Sequence, residues 1–287
     1  LGGAIFGLEI LFRRFEAMEA MPVLLSCVLG TLVARIAFGN FVTFATPSFG
    51  FPQFHELLLY AIVGLVFGGV SALWVSLYYF IEKLFERTRA VPFVLRVALG
   101  GLMTGLIGLP FFMLSLALYS DNTGYGIYGS GYEGMSLLLA GAIPLALAFV
   151  LALVKMACTS FSLGSGGSGG LLVPTLYIGS MFGGALGLAL SSFAPGLILE
   201  PYAFALVGAA TLFAGAYGTP IASILLIPEM STNFTLLLPL MLSCSFRHLV
   251  ARRLLHGSTI NTIALELRGI PLSKLTGELR KNAEPTT

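Results

Sequence analysis

The chain is predicted to be an all-α integral membrane protein with broken, re-entrant helices among its spans, and three observations predict this. Of its 287 residues, 57% are hydrophobic and only 10% charged, with a mean hydropathy of +0.94, whereas a soluble domain carries about 25% charged residues. Several apolar runs reach the roughly 20 residues that a helix needs to cross a hydrocarbon core. The runs are continuous rather than alternating. Of the two architectures that satisfy every backbone group in lipid, helices and closed barrels, they therefore indicate helices.

The candidate spans, in order, are 21–39, 57–85, 93–118, 135–155, 174–193 and 234–255. Two further apolar segments, 201–218 and 220–230, are too short to cross and abut at "YGTP", a turn signal. They read as half-helices entering and leaving on one side. Broken helices at depth mark an ion or substrate path, because loose backbone survives there only beside protein or a water-filled cavity.

Charge orders these elements. Lys and Arg favour short cytoplasmic loops. Arg13 and Arg14 precede the first span, Lys83, Arg87, Arg89 and Arg96 gather about the connection between the second and third spans, and Lys155 stands before a glycine-rich stretch. The tail carries Arg247, Arg252, Arg253, Arg268, Lys274, Arg280 and Lys281, while 40–56 and 119–134 hold no Lys or Arg. The alternation places the C-terminus in the cytoplasm. Arg35 departs from it, at the outer end of its span, where a long side chain can snorkel.

Net charge of +2 gives no reason to expect a nucleic-acid partner. Cys27, Cys158 and Cys244 lie in apolar runs and read as small packing residues. His55, His248 and His256 show no metal-ligand spacing, so no metal is assigned. At the start, "LGGAIFGLEILFRRF" places its basic pair after the apolar stretch, the reverse of a signal peptide. The same "LGGAIFGLEI" aligns without gaps on "IASILLIPEM", Glu9 meeting Glu229. As a repeat, this would make the chain a fragment that opens at the end of one unit and contains a second. Each glutamate is expected to serve as a helix-end or interhelical hydrogen-bonding group rather than as a proton carrier.

The stretch "GSGGSGG", 164–170, lies between apolar runs, where a flexible linker has no place. Glycine lets a ligand approach the backbone closely, and Pro174 suits the first turn of a helix. The amides of Gly170, Leu171, Leu172 and Val173 would then project from a helix start as uncharged donors for an anion, aided by the helix dipole. Such donors bind without holding too tightly, as conduction requires. A tight helix-packing turn accounts for the same glycines equally well.

"FSLGSGGSGGLLVPTLYIGSMFGGALG", 161–187, resembles the G-x-F-x-P region of the CLC family of chloride channels and proton/chloride exchangers, with Leu172 in place of the usual Phe. "GTPIASILLIPEMSTNF" resembles the family's later E-M-T segment, "LGGAIFGLEI" the matching end of its first half, and "GSGYEG", 129–134, a Gly-Tyr loop. The resemblance implies a CLC-type inverted-repeat fold with the first repeat largely missing. It divides the chain into a first-repeat tail (1–16), a second repeat with the pore-lining glycine loop (17–268) and a cytoplasmic tail (269–287). It further implies a homodimer in a lipid bilayer, each subunit moving chloride, with no cofactor beyond bound chloride. The amides of Leu171 and Leu172 would hold the ion, and Gly170 and Pro174 would shape its approach. The family's serine loop and gating glutamate motifs are absent from these residues. Its internal proton-transfer acid falls on Ile10, which favours a channel over a proton/chloride antiporter, and its pore tyrosine falls on Asn261.

Two rivals come from other motifs. "GGSG", 166–169, fits a rhomboid-like intramembrane serine protease with Ser168 as nucleophile and His248 as base, but His248 stands among arginines at the membrane edge. "NTGYG", 122–126, is similar to a potassium filter lacking its valine. A Gly/Tyr loop at the interface is the plainer expectation, and the chain is not expected to be an enzyme.

Overall fold

In the computed structural model, residues 1–11, 17–39, 46–47, 49–87, 91–120, 123–194, 196, 198, 200–254 and 259–267 are described. Arg13, Arg14, Arg89, Asp121, Asn122, His256 and everything from Arg268 onward lie outside them. So do the expected boundaries at 16 and 268.

The described residues form helices α1 (Gly2–Leu11), α2 (Ala17–Phe38), α3 (Phe54–Arg87), α4 (Phe93–Tyr119), α5 (Tyr132–Leu139), α6 (Leu145–Gly164), α7 (Leu172–Phe193), α8 (Ala203–Tyr217), α9 (Pro220–Ser231), α10 (Leu237–Leu254) and α11 (Ile260–Leu267). Five of them, α2, α3, α4, α6 and α7, are long and apolar enough to cross a membrane. The short pair α8 and α9 turns at Gly218 (φ +73°), as "YGTP" predicts.

One expected span is wrong. Residues 135–155 do not form a single helix but are divided between α5 and α6. Gly141 takes φ +77°, and Pro144 caps α6 from an extended conformation, so the backbone cannot continue as one helix. "GAIP" is the signal that marks this break.

The core is built on α8, an Ala- and Gly-rich helix buried along nearly its whole length. α7 runs antiparallel against it. A Cβ at Gly179 would stand 2.5 Å from the Gly208 carbonyl oxygen, one at Gly208 would stand 2.5 Å from that of Gly179, and one at Gly183 would overlap the Phe204 carbonyl. Only glycine permits this approach, the small-residue packing expected where lipid supplies no hydrophobic drive. α3 and α10 run parallel: Gly64 lies on Ser243 and Phe246, and Gly68 on Arg247 and Val250. Their C-terminal ends therefore share one side.

α1 and α9 cap each other reciprocally. Glu229 accepts from the main-chain nitrogen of Gly2 (2.5 Å), and Glu9 from those of Ile221 (3.3 Å) and Ala222 (2.8 Å). Carboxylates at helix N-termini satisfy orphan donors and favour the dipole. The expectation of an interhelical hydrogen-bonding role for both glutamates is borne out.

Two charges are misplaced by the sequence reading. Lys155 sits within α6 and is buried, and Arg247 is buried on α10 rather than free in a tail. Neither marks a loop.

Candidate functional site

The glycine stretch does two jobs in succession. Its first part ends α6. Gly166 (φ +101°) donates to the Leu163 carbonyl (3.0 Å) and Gly167 to that of Ser162 (3.2 Å), a pair of bonds that closes a helix on a left-handed glycine. Gly100 of α4 lies against Ser165, where a Cβ would overlap its hydroxyl, and a Cβ on Gly166 would come within 2.7 Å of the Phe93 ring. The base of the loop is thus pinned between α4 and α6.

Its second part leads into α7. The helix begins at Leu172, two residues earlier than the reading from Pro174, which occupies its first turn. Leu171 is the N-cap residue and no side chain caps the end. Among the described residues no acceptor takes the amides of Gly170, Leu171, Leu172 or Val173. Gly170 is exposed and the other three are half-buried. Four uncharged N–H donors therefore open a 22-residue helix, whose aligned peptides add a partial positive charge at that end.

The first turns of α7 are fixed from two sides. Trp74 of α3 donates from Nε1 to Thr175 Oγ1 (3.0 Å), and that hydroxyl donates to the Leu171 carbonyl (2.7 Å). Tyr177 donates from its hydroxyl to the Tyr125 carbonyl (2.8 Å) in the loop before α5. Both side chains come from apolar helix interiors, and nothing in their spacing singles them out.

Asn261 is half-buried in the first turn of α11. Tyr79 of α3 donates to the carbonyl of the preceding Ile260, and Thr259 and Thr262 bond each other's amides at the helix start. Among the described residues no hydrogen bond joins Asn261 to the start of α7. Ser168 and His248 are both exposed, on the glycine loop and on α10, and no hydrogen bond joins them. Ile10 is half-buried on α1 beside Glu9.

A family model described as voltage gated chloride channel matches residues 1–252. The chain belongs to this family. Among curated relatives, a putative chloride channel protein ClcB-like of Ralstonia nicotianae is 34% identical over 245 residues, covering 85% of this chain and 54% of that protein. An H(+)/Cl(-) exchange transporter ClcA of Yersinia pestis is 27% identical over 254 residues, 88% of this chain and 51% of that protein. The chain thus spans about half the length of these relatives. A solved slow cyanobacterial Cl-/H+ antiporter superposes with a TM-score of 0.74 at 23% identity, covering 93% of this chain and 60% of that one. The all-α voltage-gated chloride channel fold, in an integral multi-pass membrane protein, is established by these matches and the apolar helices. Members of this family are channels or transporters, and the rhomboid-like protease reading falls with that assignment.

Proposed function

We propose that this chain forms part of a chloride pathway in which the amides of Gly170, Leu171, Leu172 and Val173 bind the ion directly. The observation that carries the reading is the set of four unbonded donors at the start of a long, largely buried helix. An anion in low dielectric meets a desolvation cost of tens of kcal/mol unless it is compensated. Neutral dipoles offset that cost without the grip of a full countercharge, so the ion can leave again. Pro174 fixes the backbone of the first turn, and Asn261 is proposed as a further donor from α11.

Movement is proposed to be channel-like, because Ile10 offers no titratable group at the position that matches the family's proton-transfer acid. The exchanger reading is favoured by the name of the Yersinia relative. Reversal potentials separate the two: a channel follows the chloride gradient alone, whereas an exchanger also follows an imposed pH gradient. The C-terminus is proposed to be cytoplasmic, since parallel α3 and α10 bring Lys83, Arg87 and Arg253 to one side. The assembly is proposed to be a homodimer.

The test is Gly170→Val in the full-length protein. A Cβ at Gly170 meets nothing within 4 Å, so the fold has room for the side chain. Chloride flux into liposomes is expected to fall by about tenfold or more, about 1.4 kcal/mol, because the branched side chain crowds the ion's approach to amides that themselves remain, with unchanged dimer elution. Undiminished flux refutes the assignment.

A further inference from the structure

The loop before α5 closes around a cation, and the cation belongs to the protein. Lys155 donates from Nζ to the carbonyls of Gly126 (2.6 Å), Ile127 (3.1 Å) and Gly129 (3.1 Å). Its ammonium also lies 5.2 Å from the centre of the Tyr177 ring. The side chain is 2% exposed, and among the described residues no carboxylate reaches salt-bridge distance of it. An ammonium has three donors and no more, so three carbonyls and one ring face fill its shell. Left-handed φ values at Gly124, Tyr125, Gly126 and Gly129 give the loop the reversals that let its carbonyls converge.

The loop is tied in turn to the helix that carries the anion donors. Tyr125 accepts the Tyr177 hydroxyl, and a Cβ at Gly131 or Gly134 would come within 2.8 Å of the Tyr177 ring. Tyr177 follows Leu172 by five residues, about 7.5 Å along the helix. A burial cost that large for an unpaired ammonium makes the cage and Lys155 one unit.

We propose that residues 123–131 form an ammonium-holding carbonyl cage, and that Lys155, seated in it, is the positioning residue that sets where α7 presents its donors. The inference rests on the chloride reading of those donors. Lys155 touches none of the four amides and acts through the loop and Tyr177.

The test is chemical rescue in the full-length protein. Lys155→Ala removes the equivalent of n-propylammonium and leaves its slot empty. Half-saturating chloride for flux is expected to rise by about tenfold, a loss of one pairwise positioning contact. n-Propylammonium chloride is expected to restore it, and tetramethylammonium chloride, which has no N–H donor, is expected not to. Lys155→Arg, whose planar guanidinium is larger than the compact ammonium that the three carbonyls enclose, is expected to stay raised as in the alanine variant and to gain nothing from the amine. The proposal is overturned if the alanine variant keeps the parent's half-saturating chloride, or if it loses flux while folded and ignores the amine. Should the alanine variant fail to fold, a wild-type-like half-saturating chloride in Lys155→Gln overturns the proposal, and a raised value supports it. If the parent moves no chloride, the reading of the site has failed on its own. The cage is then judged by whether n-propylammonium raises the melting temperature of Lys155→Ala but not of the parent; no rise ends it.

Discussion

Thr175→Val removes one oxygen from the first turns of α7 while keeping shape and branching. The oxygen matters because Trp74 Nε1 donates to it at 3.0 Å and both residues are 0% exposed. No water reaches the indole to replace the bond. The second bond of that hydroxyl, to the Leu171 carbonyl, is expendable, since that carbonyl also receives the Thr175 amide at 3.0 Å. Valine keeps the stiff, β-branched χ1 of threonine. The cost is therefore that of an orphaned buried donor, about 1–3 kcal/mol. A central value of about 2 kcal/mol corresponds to a factor of roughly 30 in the folding equilibrium. Trp74 is the only tryptophan of the 287 residues, so its emission reports the change within this chain. The valine variant is expected to emit at shorter wavelength and to melt earlier in detergent. Thr175→Ser, which keeps the oxygen and loses a methyl, is expected to leave the emission in place. Equal melting and emission for the valine variant and the parent would refute the reasoning, as would equal losses in valine and serine variants.

The remaining predictions concern the frame around the site. Gly179→Ala places a Cβ 2.5 Å from the Gly208 carbonyl, and parting α7 from α8 to relieve it should cost about 1–3 kcal/mol, read as a lower melting temperature with flux lost in proportion. Glu9→Gln keeps an acceptor at the start of α9 but removes the charge, and a loss of about 1 kcal/mol is expected; a double-mutant cycle with Glu229→Gln should show coupling across the reciprocal pair. No coupling there would mean that the two caps act independently.

How much of this was legible in sequence depended on whether the feature was local. Long apolar runs named α2, α3, α4 and α7 to within a few residues, and "YGTP" placed the break between α8 and α9. The gapless match of the two glutamate segments was legible as well, and in the fold they meet as reciprocal caps. The failures share a cause. Residues 135–155 read as one span because their apolarity outweighs the Gly141 and Pro144 interruption. A span that ends at Lys155 makes that lysine look like a loop charge. Its burial depends on a carbonyl cage almost thirty residues away in sequence, which no local pattern encodes. Trp74 and Thr175 were invisible for the same reason: each looks like ordinary helix filling until α3 and α7 are packed. The donor amides themselves were legible, because glycine followed by an apolar turn with Pro174 is a local instruction to start a helix without a side-chain cap.

The most direct measurement is bromide anomalous scattering from crystals of the full-length protein grown with bromide in place of chloride. A peak within hydrogen-bonding reach of the Gly170–Val173 amides, lost in Gly170→Val, is the result this account predicts. A fully occupied bromide elsewhere in the protein, with those nitrogens bonded to protein carbonyls, would contradict it.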